Sequence, residues 1–465
     1  MTQKIWDDHL VAEFGDGLDL VRMDRVVLHD RGGGTALHSL SRRNRRVRSP
    51  TRVFATADHI VDTIAGRTGS TMVPAGPEFL AALRAGCREH DITLWDLDDE
   101  RQGIVHVISP ELGIALPGCT LACHDSHTCT VGGVGALGFG MGASEIEHVL
   151  CTDTLVLARP PVMRVELTGS LPRVSTAKDL VLWLIGVLGA EGGLEHIIEF
   201  SGPTVQRMGV EQRLTLCNMA VELGARTGLV APDDATFEYL HGKPWAPHDK
   251  MWDAAVSYWQ DLVPDDGAFY DRSCSLDCGA LAPQVTWGTN PEQVTTVDEP
   301  IPDPLSLSPE RRAAADRALR YMGLVPGATL RGTPLDGAFL GSCTNGRLSD
   351  LRAAARILRG RRVARGLRAL CVPGSTHVRR QAEREGLDRI FYEAGFEWRE
   401  AGCSLCFNAG NDGFGPGQRV VTSTNRNFEN RQGTGTRSHL ASPVTVALSA
   451  IAGQITDARQ LAGGA

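Results

Sequence analysis

No run of apolar residues in this chain is long enough to cross a bilayer. The longest, residues 180–190, covers about half of the roughly 20 residues a span requires and is broken by Gly186 and Gly189. Residues 1–19 are acidic and hold no apolar core, so a secretory signal is not expected. Basic tracts are short as well. The strongest, Arg42-Arg43-Asn44-Arg45-Arg46-Val47-Arg48, lies in a chain of net charge −8 and pI near 6.0. That balance argues against general nucleic-acid binding and leaves the run as a solvated loop or a subunit contact. Aromatics are scarce at 6%, whereas glycines number 52, which suits an α/β protein with many tight turns better than an all-helical one. There is no internal repeat and no low-complexity linker.

What remains is a chain of 465 residues, 42% of them hydrophobic, enough for about three domains each burying its own core. A soluble, cytoplasmic protein is expected, and its 12 cysteines then stay reduced, most of them as small buried hydrophobes. Three segments are read from the sequence: residues 1–160, 161–295 and 296–465. The first closes at Arg159-Pro160-Pro161 and the second leads into the Pro-rich residues 299–304. A strand is expected at residues 163–167 and a helix at 177–188, capped by Ser175 or Thr176. Residues 309–322, 337–340, 350–358 and 369–372 alternate helix and strand, the pattern of a parallel sheet with crossover helices.

Two cysteine sites stand apart by context. Gly341-Ser342-Cys343-Thr344-Asn345-Gly346-Arg347 follows a predicted strand, so Cys343 falls at the carboxyl end where α/β folds place ligands. Gly402-Cys403-Ser404-Leu405-Cys406 is a C-x-x-C flanked by Phe407-Asn408-Ala409-Gly410. A lone C-x-x-C fits a redox pair, half of a zinc site or two chance cysteines. No second pair completes a zinc site, whereas three cysteines can hold a [4Fe–4S] cluster with one iron open as a Lewis acid. A formal G-x-G-x-x-G, Gly133-Val134-Gly135-Ala136-Leu137-Gly138, follows polar residues rather than a buried strand. It reads as a close-packed turn into a helix at 143–150, not as a dinucleotide site.

The two cysteine segments and Ser423-Thr424-Asn425-Arg426-Asn427-Phe428-Glu429-Asn430-Arg431-Gln432-Gly433 resemble the cluster and substrate signatures of the aconitase superfamily. The likeness extends over nearly the whole chain and is nearest to the 3-isopropylmalate dehydratase large-subunit branch. Gly103-Ile104-Val105-His106-Val107, Asp125-Ser126-His127-Thr128, Cys217-Asn218-Met219-Ala220-Val221-Glu222 and Trp287-Gly288-Thr289-Asn290-Pro291 all match that pattern. The resemblance implies three α/β domains around a cluster-containing cleft, without the swivelling fourth domain. It implies a hydro-lyase that dehydrates and rehydrates a small hydroxy di- or tricarboxylic acid, with the 3-isopropylmalate/2-isopropylmalate pair of leucine biosynthesis as the first expectation.

By the same resemblance Cys343, Cys403 and Cys406 hold a [4Fe–4S] cluster. Asp58, His59, His106, Asp125 and His127 match acid, base-support and substrate positions. Asn218 and Glu222 match positions around the open iron, while Ser126, Asn425, Arg426 and Arg431 match substrate contacts. Each taken alone has a plainer reading: a satisfied structural histidine, an exposed helical glutamate, a surface arginine. Only their occurrence together with the three cysteines favours chemistry.

The swivelling domain carries the serine base in this superfamily, so a separate small subunit is expected as partner, in a heterodimer or heterotetramer. Partners other than that subunit and a carboxylic-acid substrate, such as nucleic acid or membrane, are not expected.

Four departures touch the implied pocket. Thr35, in His29-Asp30-Arg31-Gly32-Gly33-Gly34-Thr35, stands where a glutamine is usual. His124 replaces a glycine or threonine, Val131 a histidine and Asn430 a glycine. They point to a paralogue acting on 2-methylmalate/citraconate, maleate, homoaconitate or a related acid. An iron-sensing RNA-binding protein or a non-catalytic scaffold subunit are readings of another class.

Overall fold

A computed structural model describes residues 1–69, 71, 73–408 and 412–461; Ala409 and Gly410 lie outside it. The fold is mixed α/β, and its three larger sheets are parallel throughout. The first contains, in spatial order, strands Thr93–Trp95, Val53–Thr56, Arg25–His29, Thr120–Cys123 and Leu137–Gly140. Counted in chain order that is 3-2-1-4-5. The C-terminal sheet repeats it with Phe396–Trp398, Arg368–Cys371, Gly337–Leu340, Arg419–Thr422 and Arg437–Leu440. The middle sheet, Thr227–Val230, Ile197–Ser201, Val162–Thr168 and Arg272–Asp277, follows the same order as far as its fourth strand.

Backbone contacts group these elements into two compact units. One contains residues 1–60, 68–170 and 191–278; the other contains 61–67, 171–190 and 279–465. The first unit's core includes Val27, Leu28, Phe54, Trp95, Leu121, Leu137, Leu214 and Leu229. The second is built around Ala338, Leu340, Cys371, Phe391, Trp398 and Val421. Every residue of strands Val53–Thr56, Thr120–Cys123, Gly337–Leu340 and Arg419–Thr422 is buried. Strands covered on both faces by crossover helices cannot alternate apolar and polar residues, so their signature is a short apolar run.

The expected helices and strands form close to where the pattern places them. Helix Ala177–Leu188 starts at Thr176, whose hydroxyl accepts from the amides of Lys178 and Asp179 while Asp179 returns a bond to the Thr176 amide. Such a reciprocal cap satisfies donors that the first turn leaves open. Helices Pro309–Met322 and Leu348–Leu358 and strand Gly337–Leu340 follow. Among the described residues no helix is long and apolar enough to cross a membrane. The arginine run leaves the end of helix Gly33–Arg42, where Arg43 pairs with Glu147 and Arg48 with Asp153.

The glycine-rich stretch is a packing device. Residues 126–134 form tight 3₁₀ turns joined across a kink at His127, and a Cβ on Gly132 would lie 1.6 Å from the Gly228 carbonyl oxygen. One on Gly133 would lie 2.5 Å from the Leu214 amide nitrogen, so the turn rests backbone to backbone on helix Val210–Asn218. Gly132→Ala should therefore destabilise the protein by about 3 kcal/mol, the range of a forced core overpacking. A urea midpoint equal to that of wild type would show that the turn can yield.

Candidate functional site

In an open parallel sheet of order 3-2-1-4-5, connections leave the first and fourth strands in opposite directions, and the gap beyond their carboxyl ends is where ligands sit. Both five-stranded sheets place candidate residues there. In the first unit His29 ends the first strand and Asp30 follows it, Asp58 and His59 follow the second, and His124 and Asp125 the fourth.

The side chains at these strand ends form one connected chain. Asp58 Oδ1 contacts His59 Nδ1 at 2.6 Å, and its other oxygen accepts from the Val105 amide at 2.9 Å, one residue before His106. His59 Nε2 lies 3.1 Å from Asp125 Oδ2, and His106 Nε2 lies 2.9 Å from Asp125 Oδ1. Asp125 also caps the 3₁₀ turn by accepting from the His127 amide at 2.7 Å. His127 Nε2 then meets Glu222 Oε1 at 3.0 Å. Asn218 joins the same turn, donating to Thr130 Oγ1 at 2.8 Å while its carbonyl accepts from the Cys129 thiol. Ser126 lies exposed on that turn. Thus Asp58, His59, His106, Asp125, His127, Asn218 and Glu222, scattered over 165 positions, are brought together.

Electrostatics set apart the roles these groups can take. Burial draws the Asp125 carboxyl upward, but His106 and the bonds from His127 and His59 outweigh it and hold it well below the usual range. Asp30 is pushed the other way, up to about 7, by burial and by the Asp58 charge, although the His59 and Ile60 amides both donate to it. One carboxyl is therefore kept ionised and its neighbour kept inclined to hold a proton.

Three residues outside the expected set belong to this cluster: His29, Asp30 and His124. The His29 ring stacks on His59 at 4.0 Å between centroids and on His124 at 3.9 Å. His124 fits because residue 32 is glycine; a Cβ there would lie 2.5 Å from its ring. His29-Asp30 stands directly after the apolar run Val26-Val27-Leu28, the signal that would have marked it. The other departures resolve separately. Thr35 is exposed on helix Gly33–Arg42, Val131 is buried in the core, and Asn430 has φ +70°, a left-handed conformation that asparagine tolerates.

In the second unit Cys343 follows the sheet's first strand and Asn425 its fourth, the same pair of strand ends. Gly341 (φ +156°) turns the chain beneath the Val372 carbonyl, where a Cβ would approach within 2.6 Å, and Ser342 has φ +82°. Strained backbone beside a functional group is a recurrent feature of binding sites. The Asn425 amide donates toward Cys343 Sγ at 3.4 Å, and its oxygen accepts from Cys406 Sγ at 3.5 Å. Cys403 and Cys406 share a 3₁₀ turn closed by a bond from the Cys406 amide to the Cys403 carbonyl at 2.9 Å. All three thiols are buried and none is in a disulfide.

Arg426 and Arg431 lie on the loop after Asn425, each partly buried; Arg431 stacks on Phe428 with its Nε buried and unpaired. Lys178 was not expected here. It is fully buried, and burial lowers its ammonium to about 7 against the pull of Cys343 and Cys406. Its place inside an apolar helix hid it.

A parallel α/β protein with a carboxylate–imidazole chain at one switch point and an amide between two buried thiols at another, a third thiol lying in the adjoining turn, is defined by these observations. Residues 3–453 match the model of the aconitase family (aconitate hydratase), and the chain belongs to that family. It is 52% identical over 462 residues to the 3-isopropylmalate dehydratase large subunit 1 of Bradyrhizobium diazoefficiens, covering 99% of this chain and 96% of that protein. Among solved structures it is similar to the holo-form of Thermococcus kodakaraensis aconitase X at a TM-score of 0.45 and 11% identity, over 87% of this chain and 84% of that one.

Burial, with the His59 charge beside it, pushes His124 down to about 4. The unfolded chain, with histidine near 6.5, therefore binds this proton more tightly. Stability should fall as pH drops from about 6.5 to about 4, and His124→Gln should remove about 2 kcal/mol of that loss. Urea unfolding at the two ends of this window measures it; an unchanged difference between them would mean that His124 is not held neutral.

Proposed function

We propose that this chain is the cluster-bearing large subunit of an iron–sulfur hydro-lyase that dehydrates and rehydrates a small hydroxy di- or tricarboxylic acid. The interconversion of 3-isopropylmalate and 2-isopropylmalate in leucine biosynthesis is the first candidate. The family match and the name of the 52%-identical relative support this reading. The observation that carries it is the Asn425 amide bridging Cys343 and Cys406, with Cys403 in the adjoining turn. Two buried thiols on one amide, with a third buried thiol at the start of the turn that carries Cys406, suit thiolate ligation of a cluster, and Cys343, Cys403 and Cys406 would hold a [4Fe–4S] group there. When bound, it supplies an iron with an open position that acts as a Lewis acid on substrate oxygen.

The chain's own residues supply proton handling and charge. His59 is held between Asp58 and Asp125, which fix its ring through both nitrogens, so it is placed to pass a proton to a departing hydroxyl. Asp125, held ionised, keeps both His59 and His106 oriented through its two oxygens. Glu222 fixes the ring of His127 from its far side. Arg426 and Arg431 present guanidinium groups for substrate carboxylates, whose two oxygens match the planar fork.

No group in either cluster is proposed as the base that removes the carbon-bound proton. A small subunit carrying the swivelling domain would bring it, in a heterodimer or heterotetramer, and the naming of the relative as a large subunit supports such a partner. A three-domain division at residues 160 and 295 is part of the same proposal, supported by the three parallel sheets, each drawn from one segment. Soluble, cytoplasmic operation belongs to the same proposal.

One observation favours a second choice of substrate within this class. The His29–His124 stack, accommodated by Gly32, stands beside the Asp58–His59 pair where the 3-isopropylmalate pattern has no second imidazole. A paralogue acting on 2-methylmalate/citraconate, maleate or homoaconitate fits that change.

The test is an anaerobic assay of the reconstituted chain with its small subunit, following enoate absorbance from each candidate acid. Turnover should vanish in Cys403→Ser, and His59→Ala should lower kcat by about 10²–10⁴-fold, the usual contribution of a positioned acid–base group. Full turnover by Cys403→Ser would sink the cluster reading. Turnover on 2-methylmalate but not on 3-isopropylmalate would select the paralogue.

A further inference from the structure

Of the 47 lysines and arginines in this chain only four are lysines, and three of them, Lys4, Lys243 and Lys250, reach solvent. The fourth, Lys178, is wholly buried at the second position of helix Ala177–Leu188. Nothing in the helix explains a cation there. The helix dipole disfavours positive charge in the first turn, and desolvating an ammonium costs several kcal/mol unless a negative group offsets it. Among the described residues no carboxylate lies within ion-pair distance of Lys178 Nζ. Its own neighbour Asp179 is engaged with Thr176 and with the Gln284 amide.

Lys178 Nζ instead donates to the Ser423 carbonyl at 3.0 Å and to the Thr424 carbonyl. These are the two residues before Asn425, whose amide spans Cys343 and Cys406. The Ser423 hydroxyl in turn accepts from the Gly341 amide at 3.0 Å and donates to the Gly341 carbonyl at 3.1 Å. Two strand ends are thereby tied together two residues ahead of Cys343 and of Asn425, and the ammonium is fastened to one of them.

We propose that Lys178 is a positioning residue of the thiol centre. Its ammonium fixes the carbonyls from which Asn425 reaches Cys343 and Cys406, and it provides the buried positive charge that balances a thiolate-bound iron–sulfur group. This inference rests on the cluster reading given above. A net-negative group in a dry site is stabilised by a nearby fixed cation, and its reduced form more so, because reduction adds a further negative charge. Lys178 therefore raises the reduction potential of the centre and slows loss of its iron. Methionine at 178 keeps the unbranched stem and removes the charge; arginine keeps the charge.

The experiment uses the full chain reconstituted anaerobically as wild type, Lys178→Met and Lys178→Arg. Midpoint potential is read by titration followed by electron paramagnetic resonance, and iron per chain is followed in a chelator. Lys178→Met should have a more negative midpoint than wild type and should lose iron about tenfold faster, the lower range for a lost outer-shell partner. Lys178→Arg should stay near wild type in potential. A purely structural lysine would lower the melting temperature of the cluster-free chain and leave the potential where it was, and that result overturns the proposal.

Should Lys178→Met not fold, wild type labelled with ¹³C-lysine provides the second measurement. With four lysines the ε-methylene signals are few, and one of them should shift when the cluster is reduced to its paramagnetic state. No shifted lysine overturns the proposal. A wild type that takes up no cluster overturns the cluster reading and this proposal together, whereas a loaded wild type matched by Lys178→Met overturns only the role of Lys178.

Discussion

At the switch point of a parallel sheet, neighbouring strands send their connections to opposite faces, and the backbone groups at their carboxyl ends are left without ladder partners. Those unpaired ends need polar company, and the gap between the departing chains gives it room. The first unit fills this gap with acids and imidazoles after Arg25–His29, Val53–Thr56 and Thr120–Cys123. The second fills it with a thiol after Gly337–Leu340 and an amide after Arg419–Thr422. One topological constraint, met twice with different chemistry, locates most of the candidate residues.

Gathering such groups opposes stability, because charges drawn out of water are costly unless their partners are well placed. The first unit meets the cost by threading its charges. Each carboxylate of Asp58 and Asp125 is shared between an imidazole and a backbone amide, and Asp30 accepts from two amides. His29, with its Nε2 unpaired, and His124, with both ring nitrogens unpaired, are kept neutral by burial first and then by neighbouring imidazoles, His124 and His59 for His29 and His59 for His124. In the second unit the buried ammonium of Lys178 donates to two carbonyls, and the thiols of Cys343 and Cys406 are the first negative groups to act on its charge. Polar groups left short of partners mark where these clusters depart from a structural core.

Local pattern made much of this legible. Helix Ala177–Leu188 was readable because Thr176 and Asp179 form a cap before an apolar run, and strand Gly337–Leu340 because four apolar residues stand between turn signals. Cys343 was readable as a strand-end residue for the same reason. Lys178 was not, since one cation within an apolar helix carries no signal of what lies opposite. His124 was visible only as a departure; its reason, the space left by Gly32, depends on two residues 92 positions apart. The recurrence of strand order 3-2-1-4 in all three parallel sheets left no trace as a repeat, because strand pairing constrains apolar pattern and connection length rather than residue identity.

The sequence alone determined the α/β class, the positions of several helices and strands, and the residue types available for chemistry, because capping, apolar runs and turn residues act over a few neighbouring positions. Only the tertiary structure decided which of those residues meet. It joined Asp58 to Asp125 through one imidazole, placed Asn425 between two thiols and set Lys178 behind it. These contacts depend on strand order and crossover direction, which arise from the packing of whole sheets and are not written in any short stretch of chain.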